Sequence, residues 1–399
     1  MILLHDSIQV GTSHAAFTRA MAALIAHAFP NEPIVLHAQP SHLAIALQPP
    51  LDAALSRITG IAEPPDAGPL SLREALVFLK SLFAPGSQPP RLVIFLSAKP
   101  ALIIAAKLFR RMEKRFRCHI VLHGELSGIQ GARSRHPWHR LFDTRGALSF
   151  PNHRDVRFLV LEQHIADNLI SILPRLAGSV DMLRLPCLPR DSEPPMPPQT
   201  APIRFGLIGI AGKSKGLDVF AALARQMTQE LGNAVEFRVI GKLQPGWQAL
   251  DLSGISGRRP FSEDWLPWEV FEAELAALHY VVLPYAHDYY SLASSGVLLD
   301  ALSWQKPMLT FPSPTVDEFI ARFGPIGFRC ADLQAMQQTV RQLLQAPDWH
   351  AYRAMRQSLA TAFQSRLPAS LAIDYVAMLR AGPWAASLPL PSLETGPAV

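Results

Sequence analysis

The chain has 399 residues, 49% of them hydrophobic and 17% charged, with a net charge of +5. This length allows two domains, each able to bury its own core, and no stretch reaches the roughly 18 consecutive apolar residues of a membrane-spanning helix. Cys118, Cys187 and Cys330 are far apart and show no zinc or redox spacing, so they read as buried thiols.

The start, Met1 to Leu4, runs straight into His5 and Asp6 without a basic segment before it, and reads as a first strand and not a signal peptide. A cytoplasmic protein is expected. From there short β-type runs alternate with helical ones. "MILL" is followed by a helix through "HAAFTRAMAALIAHAF", then "PIVLH", a helix near Ser71 to Leu82, "RLVIFL" and a helix through "ALIIAAKLFRRMEKRF". "HIVLH", "VRFLVL", a helix through "EQHIADNLISIL" and "DMLRLP" complete the first series. Such alternation predicts a parallel sheet covered by helices on both faces. The proline-rich run from Pro189 to Pro202 interrupts it, because proline lacks an amide donor and turns its predecessor away from helix.

Beyond this run the pattern restarts: "IRFGLIG", a helix from Leu217 to Leu231, "VEFRVIG", a helix around Trp265 to Leu278, "YVVLPY", a helix around Ser295 to Trp304, "PMLTF" and a helix around Leu333 to Leu344. Helical stretches from Trp349 to Phe363 and Ala369 to Leu379 precede a Pro/Ser/Gly-rich tail. The expected organisation is an α/β protein of two Rossmann-like doubly wound domains, residues 1–190 and 203–346, joined by a linker at 191–202. Terminal helices at 347–380 and a flexible tail at 381–399 would follow. Ligands of doubly wound sheets sit at the carboxyl ends of the strands, so a cleft between the domains is expected.

Four segments carry candidate chemistry. In "FGLIGIAGKSKGLDV" a strand ends in a glycine-rich turn and opens a helix, with Gly209, Lys213, Lys215 and Gly216 placed to receive a phosphate on free helix amides and positive charge. No GxGxxG spacing or strand-end acid follows, which disfavours a nicotinamide enzyme. The second, from Tyr280 to Phe311, places Tyr285, His287, Asp288, Tyr289 and Tyr290 in a polar loop before Ser294, Ser295 and Gly296, a second anion nest at a helix start. Asp300, just over a turn further, is positioned for ribose hydroxyls.

The third lies at two strand ends of the first half: His5, Asp6, Gly11, Thr12 and Ser13 after the first strand, and His123, Gly124 and Glu125 after "HIVLH". Asp6 and Glu125 are the candidate carboxylate bases if an acceptor hydroxyl must lose its proton. Fourth, residues 1–190 carry 21 Lys and Arg against 13 Asp and Glu, and "KLFRRMEKRFR" (Lys107 to Arg117) interleaves bases with apolar residues. With Arg133, Arg135, His136, Trp138, His139 and Arg140 nearby, this suits contact with anionic lipid headgroups, or simply the solvated face of a crossover helix. No nucleic-acid motif is present.

The second half resembles the donor-binding domain of GT-B glycosyltransferases, glycosyltransferase family 4 in particular, over most of Ile203 to Leu344. Lys215 and Gly216 match the Lys-Gly of the family's "G-R-x-x-x-x-K-G" loop. "DALSWQKP", Asp300 to Pro307, matches the end of the motif of two glutamates seven residues apart that runs into "A-L-A-x-G-x-P". The resemblance implies diphosphate contacts at Ser295 and Gly296, a ribose contact at Asp300 and a donor-sugar contact at His123. It also departs: Ile210 stands at the arginine and Leu292 at the first glutamate, so Lys213 and either Asp288 or His287 would have to compensate. The implied activity is transfer of a sugar from a nucleoside diphosphate sugar to a glycan, free or lipid-linked, in polysaccharide assembly. No cofactor is expected and, since Asp-x-Asp is missing, no metal. A non-catalytic GT-B-like partner or regulator and a sugar-nucleotide epimerase are the alternatives.

Overall fold

The computed structural model describes residues 1–390 except 7, 50–52, 64–69, 132–135, 257–263, 265, 286–290, 386–387 and 389. Contacts divide the chain into two units. Unit 1 comprises Met1–Pro189, Leu292–Ser294 and Arg366–Val399; unit 2 comprises Arg190–Ser291 and Ser295–Ser365.

In unit 1 the order is β1 (Ile2–Asp6), α1 (Ala15–Ala28), β2 (Ile34–Ala38), α2 (Pro40–Ala46), β3 (Ile58–Ala62), α3 (Leu72–Leu82), β4 (Leu92–Phe95) and α4 (Pro100–Met112). Then come β5 (Cys118–Val121), α5 (Pro137–Leu141), α6 (Thr144–Ser149), β6 (Val156–Val160), α7 (Gln163–Ile172) and β7 (Val180–Met182). The seven strands form one sheet in the order β3-β2-β1-β4-β5-β6-β7, every pair parallel. The middle strands β1, β4, β5 and β6 are buried at every position, as expected of a sheet covered on both faces.

Unit 2 runs β8 (Ile203–Ala211), α8 (Leu217–Leu231), β9 (Val235–Leu243), α9 (Trp268–Ala277), β10 (Tyr280–Leu283), α10 (Gly296–Ser303), β11 (Met308–Thr310), α11 (Pro314–Phe323), β12 (Gly327–Arg329), α12 (Leu333–Gln345) and α13 (Trp349–Gln364). Its parallel sheet has the order β12-β11-β10-β8-β9, and a single bridge, Arg238 to Ser256, lies beyond β9 where a doubly wound sheet has room for a further strand. The order reverses between β8 and β10, the switch point at which such sheets bind ligands.

The last helix, α14 (Pro368–Ala381), belongs to unit 1 and packs on α1, burying Leu371, Ala372, Tyr375, Val376 and Leu379. Polar groups fix it there. Arg366, 2% exposed, holds Glu162 through two bonds of 2.6 and 3.0 Å; Tyr375 Oη meets His119 Nδ1 at 2.8 Å; Trp384 Nε1 donates to Asp155 Oδ1 at 3.0 Å. α13, by contrast, stays with unit 2, where Tyr352 donates to the His279 carbonyl at 2.8 Å.

Candidate functional site

At the unit 2 switch point, β8 opens into a 3-10 turn at Lys213–Lys215, and α8 starts after Gly216. Two glycines make the convergence possible. Gly209 has φ 81°, and a Cβ there would lie 2.7 Å from Val297 Cγ2 of α10 and 4.0 Å from Lys215 Nζ. Gly216 has φ 73°, and a Cβ there would meet the Pro284 carbonyl oxygen, just past β10, at 2.1 Å. Only glycine satisfies both the left-handed backbone and the close approach. The glycine turn after β8, the end of β10 and the start of α10 are therefore pressed together, with the Lys215 ammonium among them.

Ser295 is the N-cap of α10, its Oγ accepting from the Leu298 amide at 3.2 Å, and Gly296 is the first helical residue. Ser294, read from sequence as part of the same nest, lies one residue before the cap. Asp300 follows on this helix. Burial pushes its carboxyl up to about 7, against the pull of Lys215, and burial likewise lowers Lys215, against the pull of Asp300. The pair thus holds two partly desolvated groups of opposite charge beside two helix N-termini, an arrangement that gains by taking up an anion and hydroxyl donors. Lys213 is exposed on the turn. Asp288, like His287, lies outside the described residues, and Leu292, at the position of the family's first glutamate, is 4% exposed.

The unit 1 residues gather at the C-terminal ends of β1, β4 and β5. Asp6, 1% exposed, accepts from Ser97 Oγ at 2.5 Å, Thr18 Oγ1 at 3.1 Å and the Gln9 amide at 3.4 Å. Thr18 meets His42 Nε2 at 3.0 Å, and His42 Nδ1 meets the Gly11 carbonyl at 3.0 Å, so Asp6 anchors a chain of bonds that ends in the loop after β1. That loop is also tied by Ser13 Oγ donating to Gln9 Oε1 at 2.7 Å and by a turn bond from the Ala15 amide to the Thr12 carbonyl. Asp6 is thereby a positioning group with its oxygens occupied, and Glu125 is the freer carboxylate. Glu125 accepts from the Ala98 amide at 3.4 Å, while Oε2 is buried without a hydrogen-bond partner among the described residues. Burial raises its carboxyl to about 7.

His123 stacks on Phe17 with ring centroids 4.3 Å apart and meets His14 Nδ1 through Nε2 at 2.8 Å. Burial, then His14, lowers His123 to about 3, so the two rings are neutral and share one proton across the bond. His14, Phe17, Thr18, His42 and Ser97 were not singled out in the sequence, because each becomes a partner only through the sheet's strand order.

The basic run from Lys107 to Arg117 is not the open cationic face expected from sequence. Lys107 does not face a surface: it is 1% exposed, and Nζ donates to the carbonyls of Ala147, Leu148 and Phe150 at 2.8 to 2.9 Å. It supplies donors to three carbonyls at the C-terminal end of α6. Arg110 is bound to Asp155 and Arg115 to Glu113, which leaves Arg111, Lys114 and Arg117 of the basic run. Arg133 and Arg135 lie outside the described residues. Among the described residues no cluster of three or more His, Cys, Asp or Glu is placed to hold a metal ion, and no helix is long and apolar enough to cross a membrane.

Two parallel doubly wound units of this topology define the GT-B fold, and solved structures of that fold match the chain over nearly its whole length. Anabaena HepE in complex with UDP and glucose matches with a TM-score of 0.62 at 13% identity, covering 97% of this chain and 99% of that one. The lipopolysaccharide outer core galactosyltransferase WaaB in its apo form matches at 0.61 and 11%, covering 95% and 99%. A putative UDP-N-acetylglucosamine 2-epimerase from Listeria monocytogenes matches at 0.52 and 14%, covering 95% and 96%. These likenesses establish the fold. No protein-family model and no curated protein matches the chain.

Proposed function

We propose that the protein is a glycosyltransferase that moves a sugar from a nucleoside diphosphate sugar to a glycan or lipid-linked glycan in exopolysaccharide or lipopolysaccharide synthesis. The observation that carries this is the convergence of Gly209, Lys215, Gly216, Ser295 and Asp300 at the unit 2 switch point. Lys215 and the amides at the starts of α8 and α10 would hold the diphosphate, Lys213 would add charge from the turn, and Asp300 would take the ribose hydroxyls. Because the leaving diphosphate carries the charge that develops as the glycosidic bond breaks, these groups both bind the donor and stabilise the transition state. No step calls for a metal.

Unit 1 would bind the acceptor. Glu125, raised to about 7 and with an unpartnered oxygen, suits a general base for an acceptor hydroxyl, and the neutral His14 and His123 pair suits hydrogen bonding to sugar hydroxyls. The loop of Gly11, Thr12 and Ser13 offers backbone groups held in place by His42 and Gln9. A lipid-linked acceptor is supported by Met112, 58% exposed and between Arg111 and Lys114 in sequence, and by Trp138, 66% exposed, since each basic residue at an anionic bilayer contributes about 1 kcal/mol. The cytoplasm, where sugar nucleotides are made, is the compartment this reading requires.

Incubating the protein with a panel of sugar nucleotides and a membrane lipid extract, followed by mass spectrometry, should show a glycolipid gaining one sugar mass only when donor and extract are both present. Conversion of the donor without any acceptor would favour epimerisation instead. Failure of every donor to turn over would favour a non-catalytic GT-B-like partner, to which the Ile210 and Leu292 replacements point.

A further inference from the structure

An opening in unit 2 borders the start of α10, beside the proposed diphosphate site. About 480 Å3 of space, part of it open to solvent, lies at the C-terminal ends of β10 and β11, against the starts of α10 and α11. Leu283, Leu298, Phe311 and Val316 form apolar walls, and among the described residues no charged side chain lines it. Its polar side chains all carry hydroxyls. Ser295 and Ser313 are the N-caps of α10 and α11, their oxygens accepting from Leu298 at 3.2 Å and Val316 at 3.3 Å, which leaves each O–H to donate. Thr310, at the end of β11 and 3% exposed, has a buried Oγ1 with no hydrogen-bond partner among the described residues.

The opening is therefore mainly apolar, with a few hydroxyls that can each donate and accept. Two helix N-termini add positive potential without a full charge. A group bearing several hydroxyls fits this poorly, because the apolar walls would leave some of them without a partner. A uronic acid would leave its charge in an apolar cavity without a cation. An acetamido group fits: its carbonyl oxygen accepts from the hydroxyls, and its methyl group packs on leucine, phenylalanine and valine.

Ser295 caps the helix proposed to hold the diphosphate and also lines this opening, so the donor moiety attached to that diphosphate is the one that reaches it. We infer that the donor is a UDP-linked N-acetylated amino sugar whose acetamido group occupies the opening beside Thr310. UDP follows because N-acetylhexosamines are activated on uridine nucleotides. The inference rests on the donor-site reading given above.

Calorimetric titration of the full chain with UDP, UDP-glucose and UDP-N-acetylglucosamine tests it. The expected result is roughly tenfold tighter binding of UDP-N-acetylglucosamine than of UDP-glucose, the scale of a well-made hydrogen bond with its apolar contact. Thr310→Val, which keeps the shape and removes the hydroxyl, should narrow this preference to about threefold or less, and Thr310→Ser should retain it. Equal affinity of the native chain for the two sugars, or an undiminished preference in Thr310→Val, would overturn the inference while leaving the donor site intact. Binding of GDP without UDP would overturn it as well. Binding of neither nucleotide would overturn the donor-site reading itself.

Discussion

Gln305 shows what a departure from a motif costs. It occupies the position of the glycine in "A-L-A-x-G-x-P" and adopts φ 49°, a left-handed conformation that a side chain resists. Gln305→Gly should stabilise the protein by about 1 kcal/mol, read as a higher denaturant midpoint with unchanged slope. Glu125 makes the opposite trade between stability and use. Its carboxyl rises from an ordinary 4.5 to about 7 through burial, so the fold favours the protonated form. That contribution is fully present below pH 4.5 and is lost as pH rises through 7. Glu125→Gln should therefore raise Tm at pH 8 and leave it unchanged at pH 4.5. If Glu125 is the base, the native kcat/KM should rise with pH through about 7, and the rise should vanish in Glu125→Gln. A rise that persists in the variant would assign the base elsewhere.

Among the elements, those placed by periodicity came closest to their sequence reading. α8 spans Leu217–Leu231 as the pattern of buried positions requires, and α13, Trp349–Gln364, differs by one residue from its expected end. Short edge strands such as β3 and β12 have exposed or half-buried positions and little pattern to read. Buried lysines were opaque for another reason. Lys107 sits in a basic run and Lys306 in the motif after α10, yet each closes a helix end, Lys306 donating to the carbonyls of Ala276 and Leu278 at 2.7 Å. Nothing local in the sequence distinguishes a lysine that caps a distant helix from one in solvent. The segment that joins α13 to α14 carries the firmest prediction at this scale. Arg366→Ala would leave Glu162, 3% exposed, charged and unpaired, at a cost of about 3–5 kcal/mol. Chemical unfolding measures this directly, and a loss below about 1 kcal/mol would mean that the pair does not hold α14 to unit 1.

For the molecule as a whole, the two parallel sheets were legible because strands buried on both faces read as apolar runs separated by helical ones. The turn and cap geometry of the unit 2 candidate site was legible for a related reason: glycine turns and serine caps are local signals that act where they stand. Gly216 declares its left-handed turn and Ser295 its cap within a few residues of sequence. The unit 1 network was not legible beyond its strand ends, since Asp6, Thr18, His42 and Ser97 are brought together by β1 pairing with both β2 and β4, a fact of topology and not of spacing. The central claim is that the convergence at the β8 and β10 ends is a nucleotide site, and Lys215 is the one cation held beside both the glycine turn and Asp300 among the described residues. Titrating UDP and GDP into the native chain and into Lys215→Ala should give micromolar binding of one nucleotide and at least a tenfold loss in the variant, as a charge-assisted phosphate contact of about 1.5–3 kcal/mol requires. Absence of binding by both nucleotides, or equal affinity in the variant, would contradict it.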